Sequence, residues 1–168
     1  IIPTVNDLID GKKNLEDVRN VSIEDLLGRE KVKPKLELLK KNIIDKNILV
    51  TGCGGSIGSE LCHQILKNKP KVLYLFDHSE YLLHKLSSSL NFTKSKIVSV
   101  LGTVQSEETI KMILKNNIDT VFHAAAYKHV PLVEENIVES IKTNIFGTYN
   151  LVKYAQVYGV KNFILIST

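Results

Sequence analysis

An apolar run from Asn47 to Thr51 leads directly into Gly52-Cys53-Gly54-Gly55-Ser56-Ile57-Gly58, after which Ile57, Leu61 and Ile65 recur four apart. A strand that ends in a glycine turn and opens an amphipathic helix constrains the fold more than any other feature of the chain, because that order is the first βα unit of a parallel sheet. Gly52 permits the tight turn, Gly55 lets the backbone approach a pyrophosphate, and Gly58 lets helix and strand pack closely. Ser56 and Ile57 begin the helix whose N-terminus is aimed at the anion. The turn reads as a dinucleotide cradle. No Gly-Lys-Ser/Thr closes it, which excludes a phosphate-loop NTPase.

The rest of the chain repeats the same grammar. Mostly apolar, β-branched strands are expected at Asn47 to Thr51, Lys71 to Asp77, Lys96 to Leu101, Thr120 to Ala124 and Asn162 to Ser167. Helical segments lie between them. The longest has Val138, Ile141, Ile145, Thr148 and Val152 at threes and fours, a stripe expected to face the sheet. At 168 residues with 43% hydrophobic and 24% charged, the chain has enough apolar material for one core and is not biased toward disorder. The fold class is therefore α/β, a Rossmann-type doubly wound parallel sheet ending at its fifth strand, over residues 47–168. Residues 1–46 form a charged leader or linker broken by Pro3, Gly11 and Pro34. In it Ser22 caps a short helix through Leu26 and Leu27 that Gly28 ends, and Leu36, Leu38 and Leu39 form a second piece.

Charge and cysteine content narrow the function. The net charge of +4 comes from Lys scattered among Asp and Glu, with no basic arm, so nucleic acid is not an expected partner. Cys53 and Cys62 fall in the glycine turn and its helix, which suits reduced thiols and a cytoplasmic setting. His63, His78, His84, His123 and His129 show no ligand spacing with either cysteine, so no metal is expected. No apolar run approaches the roughly 18 residues of a membrane span, and no membrane contact is expected of this chain. Asp77 ends the second strand 19 residues after Gly58, where a carboxylate accepts both ribose hydroxyls of an adenosine. That favours NAD over NADP, whose 2′-phosphate would meet a negative charge with only His78 beside it as a cation.

Four segments together resemble a known family: Val50 to Leu61, Phe76-Asp77-His78-Ser79-Glu80, Phe122-His123-Ala124-Ala125-Ala126-Tyr127-Lys128-His129-Val130-Pro131, and Lys142-Thr143-Asn144-Ile145-Phe146-Gly147-Thr148. They look like the nucleotide-sugar 4,6-dehydratases and epimerases of bacterial polysaccharide biosynthesis, the CapD-like group of extended short-chain dehydrogenase/reductases. The leader, through Ile23 to Arg29, resembles the segment preceding the catalytic domain in long members. The resemblance thus implies a longer parent anchored in the inner membrane, with this part in the cytoplasm and a homo-oligomeric assembly.

The resemblance also assigns positions. It puts the small side chains of Ala124, Ala125 and Ala126 beside the cofactor, Lys128 near cofactor and sugar nucleotide, and Asn144 on the helix behind the site, steadying backbone through its amide. Ser167 and Thr168 match substrate-side positions, Thr168 being the hydroxyl residue that bonds the substrate alcohol being oxidised. Thr103 and Val104 stand on the adenine side. Where the family usually has an acid after Gly102, this chain has Thr103, so adenine recognition is expected to be rearranged. The acid, the lysine and the Tyr/Met-x-x-x-Lys segment that follow in dehydratases are not in this sequence, and the chain is expected to bind cofactor without turnover. Tyr81-Leu82-Leu83-His84-Lys85 has the spacing of that pair but reads as helix surface and core.

The implied activity is that of an NAD-dependent lyase acting on a UDP-N-acetylhexosamine. Hydride leaves C4, water is lost across C5 and C6, and hydride returns to C6. A 4-epimerase returns hydride to C4 instead, and a noncatalytic NAD-sensing module keeps the cradle without the chemistry. Ending at the fifth strand leaves an apolar edge, for which self-association or modest stability is the expectation.

Overall fold

The computed structural model describes residues 36–90 and 95–167. The helix expected after Ser22, most of the leader and Thr168 lie outside the described residues. Five strands form one parallel sheet: β1 (Asn47–Thr51), β2 (Val72–Asp77), β3 (Lys96–Leu101), β4 (Thr120–His123) and β5 (Asn162–Leu165), in the order β3-β2-β1-β4-β5. The helices are α1 (Leu36–Ile43), α2 (Ser56–Lys67), α3 (Glu80–Ser89), α4 (Glu107–Leu114), α5 (Val130–Glu135), α6 (Ile137–Ile141) and α7 (Thr148–Val157). A π-helical turn, Lys142–Gly147, joins the last two.

Alternation along the central strands builds two cores. Ile48 and Val50 of β1, with Leu73 and Leu75 of β2, pack against Cys62 and Ile65 of α2 and Leu83 and Leu86 of α3. Leu49, Tyr74 and Phe76 point the other way, onto Ile110, Ile113 and Leu114 of α4 and Leu151 and Tyr154 of α7. Both faces of β1 and β2 are thus covered, as a parallel sheet requires, each fully buried aliphatic side chain contributing about 1.5–3 kcal/mol. Helix α1 belongs to the same compact unit, Lys35–Thr168. Its Ile43 enters the first core, and the Asn42 carbonyl accepts the Thr120 hydroxyl at 3.0 Å. The two edge strands are less covered than their composition predicts: β3 has no fully buried residue, and Leu165 of β5 is exposed.

The long amphipathic helix also differs from its sequence reading. Helix α5 ends at Glu135 with Asn136 as its C-cap, and the π-helical turn shifts the helical phase by an extra residue before α7 starts. The residues that meet the sheet and its loops are Thr143, Gly147, Leu151, Tyr154 and Ala155, all buried. Gly147 sits so close to the loop after β3 that a Cβ there would lie 2.7 Å from Val104 Cγ2. Of the expected stripe, Thr148 alone turns inward, while Val138, Ile141, Ile145 and Val152 are exposed. The packed face thus combines small residues in the π-helical turn, Thr143 and Gly147, with Leu151 and Tyr154 further along.

The order of strands places β1 and β4 side by side, where the winding of the chain reverses. Their carboxyl ends open a crevice there.

Candidate functional site

The floor of that crevice is the glycine turn. Gly52 has φ +65°, and a Cβ on it would lie 2.7 Å from the backbone of Ala125. At Gly58 a Cβ would lie 2.1 Å from the Gly52 carbonyl oxygen, so turn and helix close on each other only without a side chain. Gly54, whose role sequence reading missed, would drive a Cβ to 2.5 Å from Leu82 Cβ. Gly55 is different: its backbone is extended (φ −70°, ψ 170°), and a Cβ would meet only the Gly52 oxygen, at 3.4 Å. Nothing within the protein requires glycine there, and its bare face is open to the cleft.

Helix α2 starts at this point with its donors unspent. Gly55 as N-cap offers no side-chain bond, and the first turn holds no acidic residue, whereas Ser79 and Ser106 cap α3 and α4 through their hydroxyls. Free N–H groups at the start of a three-turn helix, beside a bare glycine face, fit a phosphate group. Ser56 and Ile57 are exposed at this end, Ile57 by 44%.

Asp77, 5% exposed, forms the neighbouring wall. Its Oδ2 accepts the Gly54 amide at 2.8 Å and its Oδ1 accepts the Ser79 amide at 2.9 Å. Each oxygen keeps a further lone pair for a hydroxyl donor in the cleft. His78 Nδ1 lies 3.4 Å from Oδ1, and the His78 ring meets the Tyr127 ring edge-on, centroids 6.3 Å apart, across the cleft. Gly102, Thr103 and Val104 line the cleft beyond Asp77. Thr103 spends its hydroxyl locally, accepting the Gln105 amide at 3.3 Å.

The opposite wall comes from the loop after β4. Ala124, Ala125 and Ala126 line the cleft, and Tyr127 follows them. Asn144 fixes that loop at two points: its Oδ1 accepts the Tyr127 amide and its Nδ2 donates to the Tyr127 carbonyl, both at 2.9 Å. Asn144 lies in the π-helical turn, next to Thr143, which lines the cleft and accepts Gln105 Nε2 at 2.9 Å. Gln105 also bonds Glu139, and that bond, aided by Lys142, holds the Glu139 carboxyl below its ordinary range.

The structure therefore brings Gly52, Gly55, Asp77, His78, Thr103, Val104 and the three alanines to one cleft, with Ser56, Ile57 and Gly58 on the adjoining helix end. Lys128 is exposed and lines an adjoining pocket with Tyr127, Leu132 and Ser140. Ser167 is exposed beyond the end of β5, and Thr168 lies outside the described residues. The Tyr81 decoy is 71% exposed on α3. Both thiols are free and buried, and burial raises both, Cys62 to about 12, so neither is a nucleophile at neutral pH. Among the described residues no helix is long and apolar enough to cross a membrane, and no group of His, Cys, Asp or Glu could hold a metal.

Beneath the cleft lies a second group that sequence reading passed over. His123, 1% exposed, has Nδ1 2.6 Å from Thr51 Oγ1 and Nε2 2.8 Å from Thr148 Oγ1. Burial lowers its pKa to about 4, so the ring is neutral.

Known proteins resemble this chain over most of its length. The profile of a family described as "Polysaccharide biosynthesis protein" matches residues 48–168. The capsular polysaccharide biosynthesis protein CapD of Staphylococcus aureus is 38% identical over 171 residues, covering 99% of this chain and 28% of that protein. A UDP-N-acetylglucosamine 4,6-dehydratase (inverting) of Campylobacter jejuni is 37% identical over 124 residues, 73% of this chain and 36% of the enzyme. The X-ray structure of Pen from Bacillus thuringiensis superposes with a TM-score of 0.69 at 36% identity, covering 73% of this chain and 37% of that one. The chain thus spans about a third of the length of these relatives. With a matching profile over most of its length and the crevice of a doubly wound sheet, the chain belongs to the polysaccharide biosynthesis protein family of CapD-like extended short-chain dehydrogenase/reductases.

Proposed function

We propose that the cleft between β1 and β4 binds NAD, and that it does so as part of a 4,6-dehydratase acting on a UDP-N-acetylhexosamine for surface polysaccharide synthesis. The observation that carries the cofactor reading is the pairing of a bare glycine face at an uncapped helix start with a buried carboxylate one strand away. The amides at the start of α2 take the pyrophosphate, where the absence of a first-turn acid leaves the helix end positive. Asp77 takes the ribose hydroxyls with the lone pairs its backbone partners leave free, and repels a 2′-phosphate. Ala124, Ala125 and Ala126 leave room for the body of the cofactor.

When bound, NAD supplies a reversible hydride acceptor, so an alcohol carbon can be oxidised and the hydride returned within one turnover. The chain's own residues position and exclude. Asn144 holds the Tyr127 backbone rigid beside the cofactor. Lys128, on the same loop, offers an ammonium to phosphate or hydroxyl oxygens from the adjoining pocket. Thr168 and Ser167 are the proposed substrate-side hydroxyls. The dehydratase reading draws on a 4,6-dehydratase among the relatives at 37% identity, and the epimerase reading on a UDP-glucose 4-epimerase of Rickettsia bellii at 35%.

The test is a thermal melt of the chain with saturating NAD or NADP. A ligand at 100 times its Kd stabilises by about 2.7 kcal/mol, or roughly 5–10 °C for a domain of this size. A larger shift with NAD supports the cleft and the role of Asp77. No shift with either removes the cofactor reading, and an equal shift removes the role of Asp77 in selectivity.

A further inference from the structure

His123 ends β4 and is enclosed by partners from three elements: Thr51 at the end of β1, Thr148 at the start of α7, and the Phe163 ring of β5 at 6.1 Å between centroids. A neutral imidazole carries one N–H and one bare nitrogen, so it donates to one threonine and accepts from the other. Both nitrogens of the ring are thereby used.

Each threonine stands at a joint of the cleft. Thr51 immediately precedes Gly52, and its carbonyl accepts the Ala124 amide, tying the glycine turn to the alanine wall. Thr148 directly follows the π-helical turn in which Asn144 clamps Tyr127 and Gly147 abuts Val104. His123, Thr51 and Thr148 do not themselves line the cleft. Above the core, the helix wall is otherwise held to the cleft by the Asn144 and Gln105 bonds at its rim. The imidazole is the attachment underneath.

We propose that His123 is a positioning residue for the dinucleotide: the threonine–imidazole–threonine bridge sets the distance between the glycine turn and the π-helical wall. Affinity then depends on a ring the ligand does not touch. The proposal rests on the reading of the cleft as an NAD site. Its structural half, that the bridge fixes the Gly52 turn and the Tyr127 clamp, is testable without any ligand.

The experiment uses the whole chain and the variants Thr148→Val, His123→Asn, His123→Gln and His123→Leu. Two readouts are taken: the NAD Kd by calorimetry, and amide hydrogen exchange in the absence of NAD. Thr148→Val removes one bond at a residue outside the cleft. It is expected to weaken NAD about five- to tenfold, the size of one lost buried hydrogen bond. Exchange should accelerate by about tenfold or more at the Gly52 and Tyr127 amides, which are bonded to the Phe76 carbonyl and to Asn144. Amides of β2 and β3 should keep their rates. Asparagine reaches the position of Nδ1 and glutamine that of Nε2, so each should recover part of the affinity lost in His123→Leu. That graded rescue is one a purely space-filling role would not give.

An NAD Kd within about two-fold of wild type in Thr148→Val would overturn the proposal. So would exchange that accelerates evenly across the sheet, because even acceleration reports global destabilisation. A wild-type chain that binds no NAD removes the cofactor reading instead, and the exchange pattern then decides the bridge by itself.

Discussion

The Asp77 carboxylate accepts the Gly54 amide at 2.8 Å, so the residue that ends β2 also holds the glycine turn that ends β1. Substituting Asp77→Asn keeps the shape and replaces one acceptor oxygen with a donor. One of the two amides now bonded to it, Gly54 or Ser79, must then face an NH2 group. The expected cost is about 1–3 kcal/mol of stability, the penalty of a buried donor left unpaired. NAD should weaken while NADP weakens less, because the charge that repels a 2′-phosphate is gone. Urea denaturation together with the two dissociation constants checks both parts. A variant with unchanged stability and unchanged preference would remove Asp77 from both roles.

Two glycines of the same turn are expected to behave oppositely. Gly58→Ala places a methyl 2.1 Å from the Gly52 oxygen, a backbone atom that has nowhere to go, so the turn must open. A loss above about 3 kcal/mol, or failure to fold, is expected. Gly55→Ala has ordinary backbone angles and an ordinary 3.4 Å contact, so stability should stay within about 0.5 kcal/mol. Its methyl occupies the face offered to the pyrophosphate, so NAD affinity should fall sharply. Equal effects of the two alanines on stability would contradict the assignment of Gly55 to the ligand.

Buried His123 makes stability fall with acid in a defined window. Its folded pKa is about 4 against an ordinary 6.5, so between these values the unfolded chain binds a proton that the folded chain refuses. Stability from this group is fully present above about pH 6.5 and is lost progressively as pH falls toward 4, by about 3 kcal/mol in all. The Asp119 carboxyl, which burial raises but the Asn47 amide and Lys161 together bring down, contributes at lower pH, below its ordinary 3.8. Denaturant titrations at pH 7, 6 and 5 isolate the histidine. A flat profile over that interval would mean the ring takes a proton in the folded state.

The extent to which the site was legible follows the sequence separation of its parts. Gly52, Gly55, Gly58 and Asp77 stand out because a turn and a strand end are local patterns, and local patterns follow from side-chain size and backbone freedom alone. The bridge through His123 was not legible. Thr51 and His123 lie 72 positions apart and become cross-strand partners only through the register of β1 with β4. The phase of the long helix was misread for a related reason. An apolar period of 3.6 cannot reveal a π-helical turn, whose extra residue moves Ile145 outward and Gly147 inward. Asn144 was placed by its neighbours in sequence, but its pairing with both backbone groups of Tyr127 depends on that same turn.

The outward apolar residues in that turn and on either side of it make the last prediction. Ile137, Val138, Ile145, Phe146 and Tyr149 are each between 57% and 67% exposed, along one stretch from α6 into α7. An apolar surface of this kind is costly in water, and covering each such side chain contributes about 1.5–3 kcal/mol. Acidic Glu134, Glu135 and Glu139 stand toward the beginning of the stretch and Lys142 and Lys153 further along, so an antiparallel two-fold pairing sets opposite charges against each other. The chain is therefore expected to self-associate, and Val138→Glu to shift it to monomer while its melting temperature moves by about 2 °C or less. Sedimentation velocity across a concentration series checks this, with NAD melts as a control that the cleft is intact. A wild-type chain that stays monomeric at every concentration would show that this face does not drive association. Association unaffected by Val138→Glu would move the contact to the exposed edge at β5, where Leu165 is open.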